Sequence, residues 1–327
     1  MPKAEPKAGL NLPARFIPTP TTISPEAQAF LSAGNPFGEA RAQPDPKDKA
    51  AWRTHIAESD AFLAAMFTQA EAALACEIVE HGLSGTILYE LTPPTCSSQT
   101  KALYFIHGGG YTVGGGRAAA LAALRLAHLT GLKIYSVDYR MPPDHPFPAG
   151  LNDSVEGYRF VLERFEPEAV VVYGPSAGGG LAASCILKAR DSGLPLPAAC
   201  VLSSPEADLT EAGDSFETNA GLDPILQRLT NANLLYADGH DLKDPYLSPL
   251  FGDFTKGFPA TLLSTGTRDL FLSNTVLMHR ALRRAGVKAD LHVFEAMGHG
   301  GFLGRAPEDE ELMQEHVRFI KQVLALD

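Results

Sequence analysis

The stretch VVYGPSAGGGLAA, residues 171–183, decides how this chain is interpreted. A β-branched run starting at Val170 ends at a glycine, and an alanine-rich helical pattern follows Ser176 directly. This order predicts a strand, a tight turn and a helix. Residues 174–178 fit the pattern G-x-S-x-G, in which a serine on a strained turn exposes its hydroxyl above a sheet. The alternative interpretation makes Ser176 only a small residue in a glycine-rich loop.

The same alternation of strand and helix recurs along most of the chain. Alternating β and α elements predict an α/β fold, with one mainly parallel sheet and helices on both of its faces. The length of 327 residues fits one large domain with insertions. Further strands are predicted within 101–110 and at 133–139, 198–204, 260–266 and 291–297, and helices near 117–131, 147–165, 177–191, 272–285 and 308–325.

Two regions interrupt this alternation. The first holds an amphipathic helical stretch at 45–74, and the second holds a helical pattern at 223–239 between two strands. Insertions where strands end tend to cover a site at the carboxyl edge of the sheet. We therefore expect both regions to form one helical cap over an α/β-hydrolase core. The expected division assigns 1–74 and 205–250 to the cap and 75–204 and 251–327 to the core.

Composition excludes several classes of protein. A formal net charge of −11 argues against nucleic-acid binding, which needs clustered Lys and Arg. The longest apolar stretches are far shorter than a bilayer span, and the N-terminus lacks an apolar signal core, so we expect a soluble cytoplasmic protein without a membrane partner. The four cysteines form no CxxC pair and the ten histidines form no HExxH motif. We therefore expect no metal site.

A serine hydroxyl becomes a strong nucleophile only when a base takes its proton and a third group orients that base. In folds with a serine on such a turn, an acid and a histidine follow the serine in chain order. Asp269 comes just after the strand ATLLSTG, 93 residues beyond Ser176, and His299 comes just after the strand LHVFEAM, 30 residues further on. The spacing predicts a triad of Ser176, Asp269 and His299. Glu295 and Asp290 remain open as alternative acids.

The sequence His107-Gly108-Gly109-Gly110 ends the apolar strand ALYFI. Glycines there let backbone N–H groups come close to a bound ester, where preorganised donors stabilise the oxyanion of an attacked carbonyl. The alternative is a flexible surface loop. The position at the end of a buried strand favours the oxyanion interpretation.

With these pieces identified, the chain resembles the hormone-sensitive-lipase-like esterases of the α/β-hydrolase fold. The resemblance implies a carboxylesterase that uses Ser176, Asp269 and His299. It implies oxyanion donors on Gly109, Gly110 and Ala177, with Gly108 as an outside candidate. The similar segments are HGGGY at 107, DYRMPPDHPFPAGLND at 138–153, GPSAGGG at 174, SSPEADLT at 203, SPL at 248 and the Gly-His-Gly sequence at 298.

The chain departs from the family pattern at three places. Pro175 replaces an aspartate beside the nucleophile, which removes one backbone donor and one acid. Arg268-Asp269-Leu270 replaces a more usual Asp-Pro, which weakens the assignment of the acid. Pro143-Asp144 replaces Ala-Pro-Glu at a different spacing.

Three other interpretations compete with the esterase. Gly178 to Ala183 fits a dinucleotide-binding pattern after a strand, but its first glycine comes four residues too late for a phosphate turn. Ser98-Gln99-Thr100-Lys101 fits the S-x-x-K motif of serine β-lactamases, but it lies in a polar link. A non-catalytic small-molecule receptor of the same fold could dispense with His299, which this chain retains.

The expected reaction is hydrolysis of small carboxylic esters through an acyl-enzyme, without cofactor or metal. We expect short- to medium-chain acyl groups, with Tyr111 as a wall of the acyl pocket. The last strand, ADLHVFEAM, is expected at a sheet edge, where it could pair with a second copy in a homodimer.

Overall fold

The computed structural model describes residues 9–38 and 42–326. Residues 1–8 and 39–41 of the expected cap and residue 327 of the expected core lie outside the described residues. The strands of the sheet in the described part are β1 (Glu77–Gly82), β2 (Ile87–Thr92), β3 (Ala102–Ile106), β4 (Lys133–Asp138), β5 (Val170–Pro175), β6 (Ala199–Ser203), β7 (Ala260–Gly266) and β8 (Ala289–Phe294). They lie in the order β1-β2-β4-β3-β5-β6-β7-β8.

The sheet is parallel from β4 to β8, and β2 is antiparallel to both β1 and β4. The predicted α/β class with a mainly parallel sheet is therefore confirmed. The antiparallel β1–β2 pair was not predicted from the sequence. Because the carboxyl ends of parallel strands meet at one edge, the loops after β3, β5, β7 and β8 open on the same side of the sheet.

Helices cover both faces of the sheet, and the side chains of β3 alternate between the two cores as a strand requires. The helices of the described residues are α1 (Pro25–Ala33), α2 (Lys49–Ala73), α3 (Arg117–Leu121), α4 (Leu124–Thr130), α5 (Ala149–Leu162), α6 (Ala177–Asp191), α7 (Ser215–Thr218), α8 (Thr230–Ala237), α9 (Leu272–Arg284) and α10 (Pro307–Val323). The core against α5, α6 and α9 lies on one face of the sheet, and the core against α3, α4 and α10 lies on the other.

Two predicted helices differ from the structure. The single helix expected at 117–131 is divided into α3 and α4, although no proline or glycine marks the division. The helix expected at 223–239 is reduced to α8, because Asp223 instead accepts N–H groups of Ile225 and Leu226 in a local turn. Both differences reflect contacts made in the folded chain.

The helices α1 and α2 precede the sheet, and the segment 205–250, between β6 and β7, contains α7 and α8. Trp52 of α2 is buried in one apolar cluster with Ala232 and Leu235 of α8. None of the helices in the described residues has the length and apolar character needed to cross a membrane.

Candidate active site

Ser176 lies on a sharp turn between β5 and α6. Its backbone has φ 57° and ψ −130°, a left-handed conformation that costs a residue with a Cβ on the order of 1–3 kcal/mol. Its N–H group donates to the carbonyl oxygen of Ser203 at 2.8 Å, which holds the turn against β6. A Cβ on Gly174 would collide with the carbonyl oxygen of Gly178, and a Cβ on Gly178 with that of Ile106. The glycines around Ser176 are therefore required by close backbone packing.

His299 lies between the serine and the acid. Its Nε2 is 2.8 Å from Ser176 Oγ, and its Nδ1 is 3.2 Å from Asp269 Oδ1. Asp269 is fully buried. It also accepts hydrogen bonds from the hydroxyl of Thr265 and the N–H of Phe271, each at 2.8 Å. The structure thus brings together the three residues that the sequence spacing selected, from the loops after β5, β7 and β8.

The electrostatic environment separates the protonation states of the acid and the base. Burial lowers the pKa of His299, but attraction by Asp269, Asp223 and Glu206 outweighs burial and leaves this pKa above its ordinary value. Burial raises the pKa of Asp269, but His299 and hydrogen bonds to the carboxylate outweigh burial and lower this pKa overall. The site therefore favours an ionised Asp269 and stabilises a protonated imidazole.

The alternative acids lie away from the imidazole. Asp290 and Glu295 are both exposed to solvent, whereas the imidazole of His299 is buried and its Nδ1 faces Asp269. In the structure, Asp269 is therefore the acid in the position that an orienting group needs.

The loop after β3 passes directly against the Ser176 turn. A Cβ on Gly108 would lie 3.1 Å from Ser176 Cβ. The N–H groups of Gly109, Gly110 and Ala177 donate to no protein acceptor within the described part of the chain. Ala177 also begins α6, where the helix dipole favours negative charge. These free donors beside the serine have the character that an oxyanion site needs.

Two side chains hold this loop through contacts that the sequence did not predict. His107 Nδ1 lies 2.7 Å from the carbonyl oxygen of Gly108, and its ring stacks on Tyr139 with centroids 4.2 Å apart. Burial lowers the pKa of His107 to about 4, so this ring is neutral. Asp60 of α2 accepts the N–H of Gly114 at 2.8 Å. Nothing in the amphipathic pattern of α2 distinguishes Asp60 from its exposed neighbours, since its partner is 54 residues away.

A groove of about 710 Å³ opens above the loop after β3. Its apolar wall includes Phe37, Phe62, Val113 and Leu229. Leu229 reaches the loop itself, since its Cδ1 would lie 3.3 Å from a Cβ on Gly110. The groove therefore shares a wall residue with the surroundings of the glycine loop, and its volume is large enough for a small organic ester.

The competing motifs have other roles in the structure. A Cβ on Gly180 would collide with the carbonyl oxygen of Glu206, so this part of α6 is packed against protein and leaves no space for a dinucleotide phosphate. Ser98 lies in the exposed link before β3, without a helix. Neither motif forms the site that its family would require.

The sheet order, the serine turn and the histidine and acid loops together define an α/β hydrolase. A family model described as alpha/beta hydrolase fold matches residues 103–303. An acetyl-hydrolase of Streptomyces hygroscopicus is 33% identical over 202 residues, which cover 61% of this chain and 67% of the relative.

Solved structures agree with this class. The crystal structure of an esterase called E25 has a TM-score of 0.85 at 33% identity, over 96% of this chain and 98% of that one. An esterase from the bacterial hormone-sensitive lipase family has a TM-score of 0.76 at 27% identity, over 92% of this chain and 99% of that one. The chain belongs to the α/β-hydrolase family, among its hormone-sensitive-lipase-like members, and is a carboxylic ester hydrolase.

Proposed function

We propose that this hydrolase cleaves short- to medium-chain carboxylic esters with Ser176 as nucleophile, His299 as base and Asp269 as the group that orients the base. The observation that carries the proposal is the distance of 2.8 Å between His299 Nε2 and Ser176 Oγ. A proton can move directly between two atoms at this separation. The pairing of His299 Nδ1 with Asp269 fixes the tautomer that leaves Nε2 free to accept that proton.

In the first step, Ser176 Oγ bonds to the ester carbonyl carbon while His299 Nε2 takes the hydroxyl proton. The carbonyl electron pair moves to the oxygen, which becomes an oxyanion. His299 then gives the proton to the departing alkoxide, the bond to the alcohol breaks, and the acyl group remains on Ser176. Water repeats these steps on the acyl-enzyme and releases the carboxylic acid.

The N–H groups of Gly109, Gly110 and Ala177 are the proposed donors to the oxyanion. Each preorganised donor of this kind is worth about 3 kcal/mol in the transition state. Their lack of protein acceptors in the described residues supports the assignment. These steps use only side chains, backbone donors and water, so the proposed mechanism requires no metal or organic cofactor.

Tyr111, which follows the proposed oxyanion donors, is the proposed wall of the acyl pocket. It is 1% exposed, and its ring stacks on Tyr236 with centroids 4.3 Å apart. A rigid aromatic pair that includes the residue directly after the glycine loop would limit the length of the acyl group. We expect kcat/KM to fall between butyrate and dodecanoate in a series of p-nitrophenyl esters, and unchanged values along that series would contradict the proposed limit.

The expected cap, residues 1–74 and 205–250, is also proposed as one unit over the site. The cluster of Trp52 with α8 supports it, as do hydrogen bonds at 3.1 Å from the N–H groups of Asn231 and Ala232 to the side chain of Gln43.

The exposed edge of β8, with Val293 45% exposed, is a proposed homodimer surface. Light scattering at several concentrations tests the dimer, and a constant monomer mass would contradict it.

The experiment that tests the proposed function is turnover of p-nitrophenyl acetate by the wild-type protein and by Ser176→Ala. We expect the substitution to remove turnover to near the background rate, a loss on the order of 10⁶-fold. Ser98→Ala is the matched control, because this half-buried serine belongs to the competing S-x-x-K motif. Loss in the control, or turnover retained in Ser176→Ala, would contradict the assignment.

A further inference from the structure

Asp223, in the segment between β6 and β7, is a buried carboxylate that belongs to none of the sequence motifs. The residue is 7% exposed. Each carboxylate oxygen accepts two backbone N–H groups. Oδ1 accepts those of Ile225 and Leu226, both at 3.0 Å, and Oδ2 accepts those of Leu270 at 2.9 Å and His299 at 3.1 Å.

The two donors on Oδ2 come from the two loops that must meet for a proton relay. Leu270 follows Asp269 directly, and His299 is the base itself. One oxygen atom of Asp223 therefore ties together the backbones on both sides of the hydrogen bond between acid and imidazole. The two loops also meet directly, since the N–H of Arg268 donates to the carbonyl oxygen of Met297 at 3.1 Å. Asp223 adds a second link at His299 itself and at the residue after Asp269.

Asn219 strengthens the same connection one turn earlier. Its Nδ2 donates to the carbonyl oxygen of Asp269 at 2.8 Å. Its own carbonyl oxygen accepts the N–H of Asp223 at 3.1 Å. The same Nδ2 also lies 3.2 Å from the carbonyl oxygen of Thr267, so residues 219–223 form a single turn with three hydrogen bonds to the acid loop and one to the histidine loop.

The packing around Asp223 leaves little freedom. A Cβ on Gly298 would lie 2.6 Å from Pro224 Cδ and 3.1 Å from Asp223 Oδ1. The glycine before His299 is therefore required for the loop to approach the turn so closely. A carboxylate at this place also acts on the imidazole charge from a direction different from that of Asp269.

We propose that Asp223 is a positioning residue of the ester hydrolase, which sets the distance between Asp269 and His299 and adds negative charge beside the imidazole. The proposal rests on the proposed function of the triad. Asp223 touches no reacting atom, and it acts through the backbones of the two loops. The segment that belongs to the expected cap thereby becomes part of the support for the proton relay.

The titratable groups around His299 make the electrostatic part measurable. Asp269, from the loop after β7, and Asp223 raise the pKa of His299. Glu206, from the segment after β6, raises it only in its ionised form, and burial raises the pKa of Glu206 itself to about 8. Removal of one negative charge lowers the pKa of His299. The reaction needs neutral His299, so kcat/KM falls at low pH as this residue becomes protonated. This low-pH fall, the acid limb of the pH profile, should therefore move to lower pH when the pKa of His299 is lowered.

The test compares Asp223→Asn with the wild-type protein and with Asp214→Asn, an exposed aspartate of the same segment. An asparagine side chain keeps one acceptor and places its NH₂ group opposite one of the N–H pairs. We expect kcat for p-nitrophenyl acetate to fall about 10- to 100-fold with a smaller change in KM, since misplacement of a catalytic group has effects of this size. The acid limb should move to lower pH, and Asp214→Asn should match the wild-type protein in both measurements.

Asp223→Glu provides the conservative comparison, because it keeps the charge but shifts the oxygens. We expect it to lower kcat while its acid limb stays at the wild-type pH. If Asp223→Asn does not fold, Asp223→Ser replaces it with the same readouts, since a serine hydroxyl brings no NH₂ group to face the two N–H pairs.

Wild-type kcat in the Asn or Ser variant would overturn the proposal. A fall in kcat without movement of the acid limb would also overturn it, because a merely structural role predicts that pattern. Failure of the proposed function itself would be visible elsewhere, as absent ester turnover in the wild-type protein or turnover retained in Ser176→Ala.

Discussion

The two sides of the site depend on different chemical groups, glycine backbone on one side and carboxylate side chains on the other. On the side of the loop after β3, glycine backbone packs against the serine turn, and this close approach depends on the absence of Cβ atoms at Gly108 and Gly178. On the other side, carboxylates hold the imidazole, and its environment depends on the charges of Asp269 and Asp223. Added volume should therefore damage the first side most, and changed charge the second.

Among substitutions on the two sides of the serine, the largest effect is expected on the charged side, from Asp269→Asn. The amide cannot stabilise the protonated imidazole and favours the wrong tautomer, so kcat should fall about 10³- to 10⁴-fold with binding retained. The measurement is steady-state hydrolysis of p-nitrophenyl acetate. Asp290→Asn and Glu295→Gln are the controls and should keep wild-type rates. Near wild-type turnover in Asp269→Asn would move the acid role to one of these two residues.

On the glycine side, Gly178→Ala should lower kcat about 100-fold or more. The added methyl group collides with the carbonyl oxygen of Ile106, so the serine turn must move away from the end of β3. Such a movement displaces the nucleophile from its reactive position. Gly82→Ala in β1 is the control, because its Cβ would have open space. Equal kcat in both variants would show that close packing at the turn is not needed.

These two predictions involve residues that the sequence itself marked. The serine turn, the glycine loop and the loops of Asp269 and His299 were predictable because glycines and chemistry-bearing residues follow buried strands at one edge of a parallel sheet. The β1–β2 hairpin was not predicted, since residues 75–92 carry too short and mixed a pattern. No sequence pattern indicated a role for Asp223 either. Its role arises from partners 47 and 76 residues away.

A smaller effect is expected from the contact between α2 and the loop after β3. Asp60→Ala removes the acceptor of the Gly114 N–H and loosens one end of the loop with the proposed oxyanion donors. We expect kcat to fall about 10-fold with the acid limb of kcat/KM unchanged, since no charge beside His299 is altered. Thr54→Ala, an exposed change on the same helix, should have no effect. A shifted acid limb would contradict this separation of the two sides.

The smallest effect concerns stability rather than rate. Burial raises the pKa of Glu206 to about 8. The folded chain therefore keeps a proton that the unfolded chain releases above its ordinary pKa, and stability falls as pH rises from about 4.5 to about 8. The glutamine of Glu206→Gln does not titrate, so the variant should not lose stability in this way. The melting temperature of the variant minus that of the wild-type protein should therefore increase by a few degrees from pH 5 to pH 8. Parallel melting curves for the two proteins across that range would contradict the assignment.

The most direct measurement of the relay is intact-mass spectrometry after reaction with p-nitrophenyl acetate and an acid quench, followed by peptide mapping. We expect one acetyl adduct per chain, on the peptide that contains Ser176, formed much more slowly in His299→Ala and absent in Ser176→Ala. An adduct on another residue, or equal labelling of the wild-type protein and Ser176→Ala, would contradict the proposed role of Ser176.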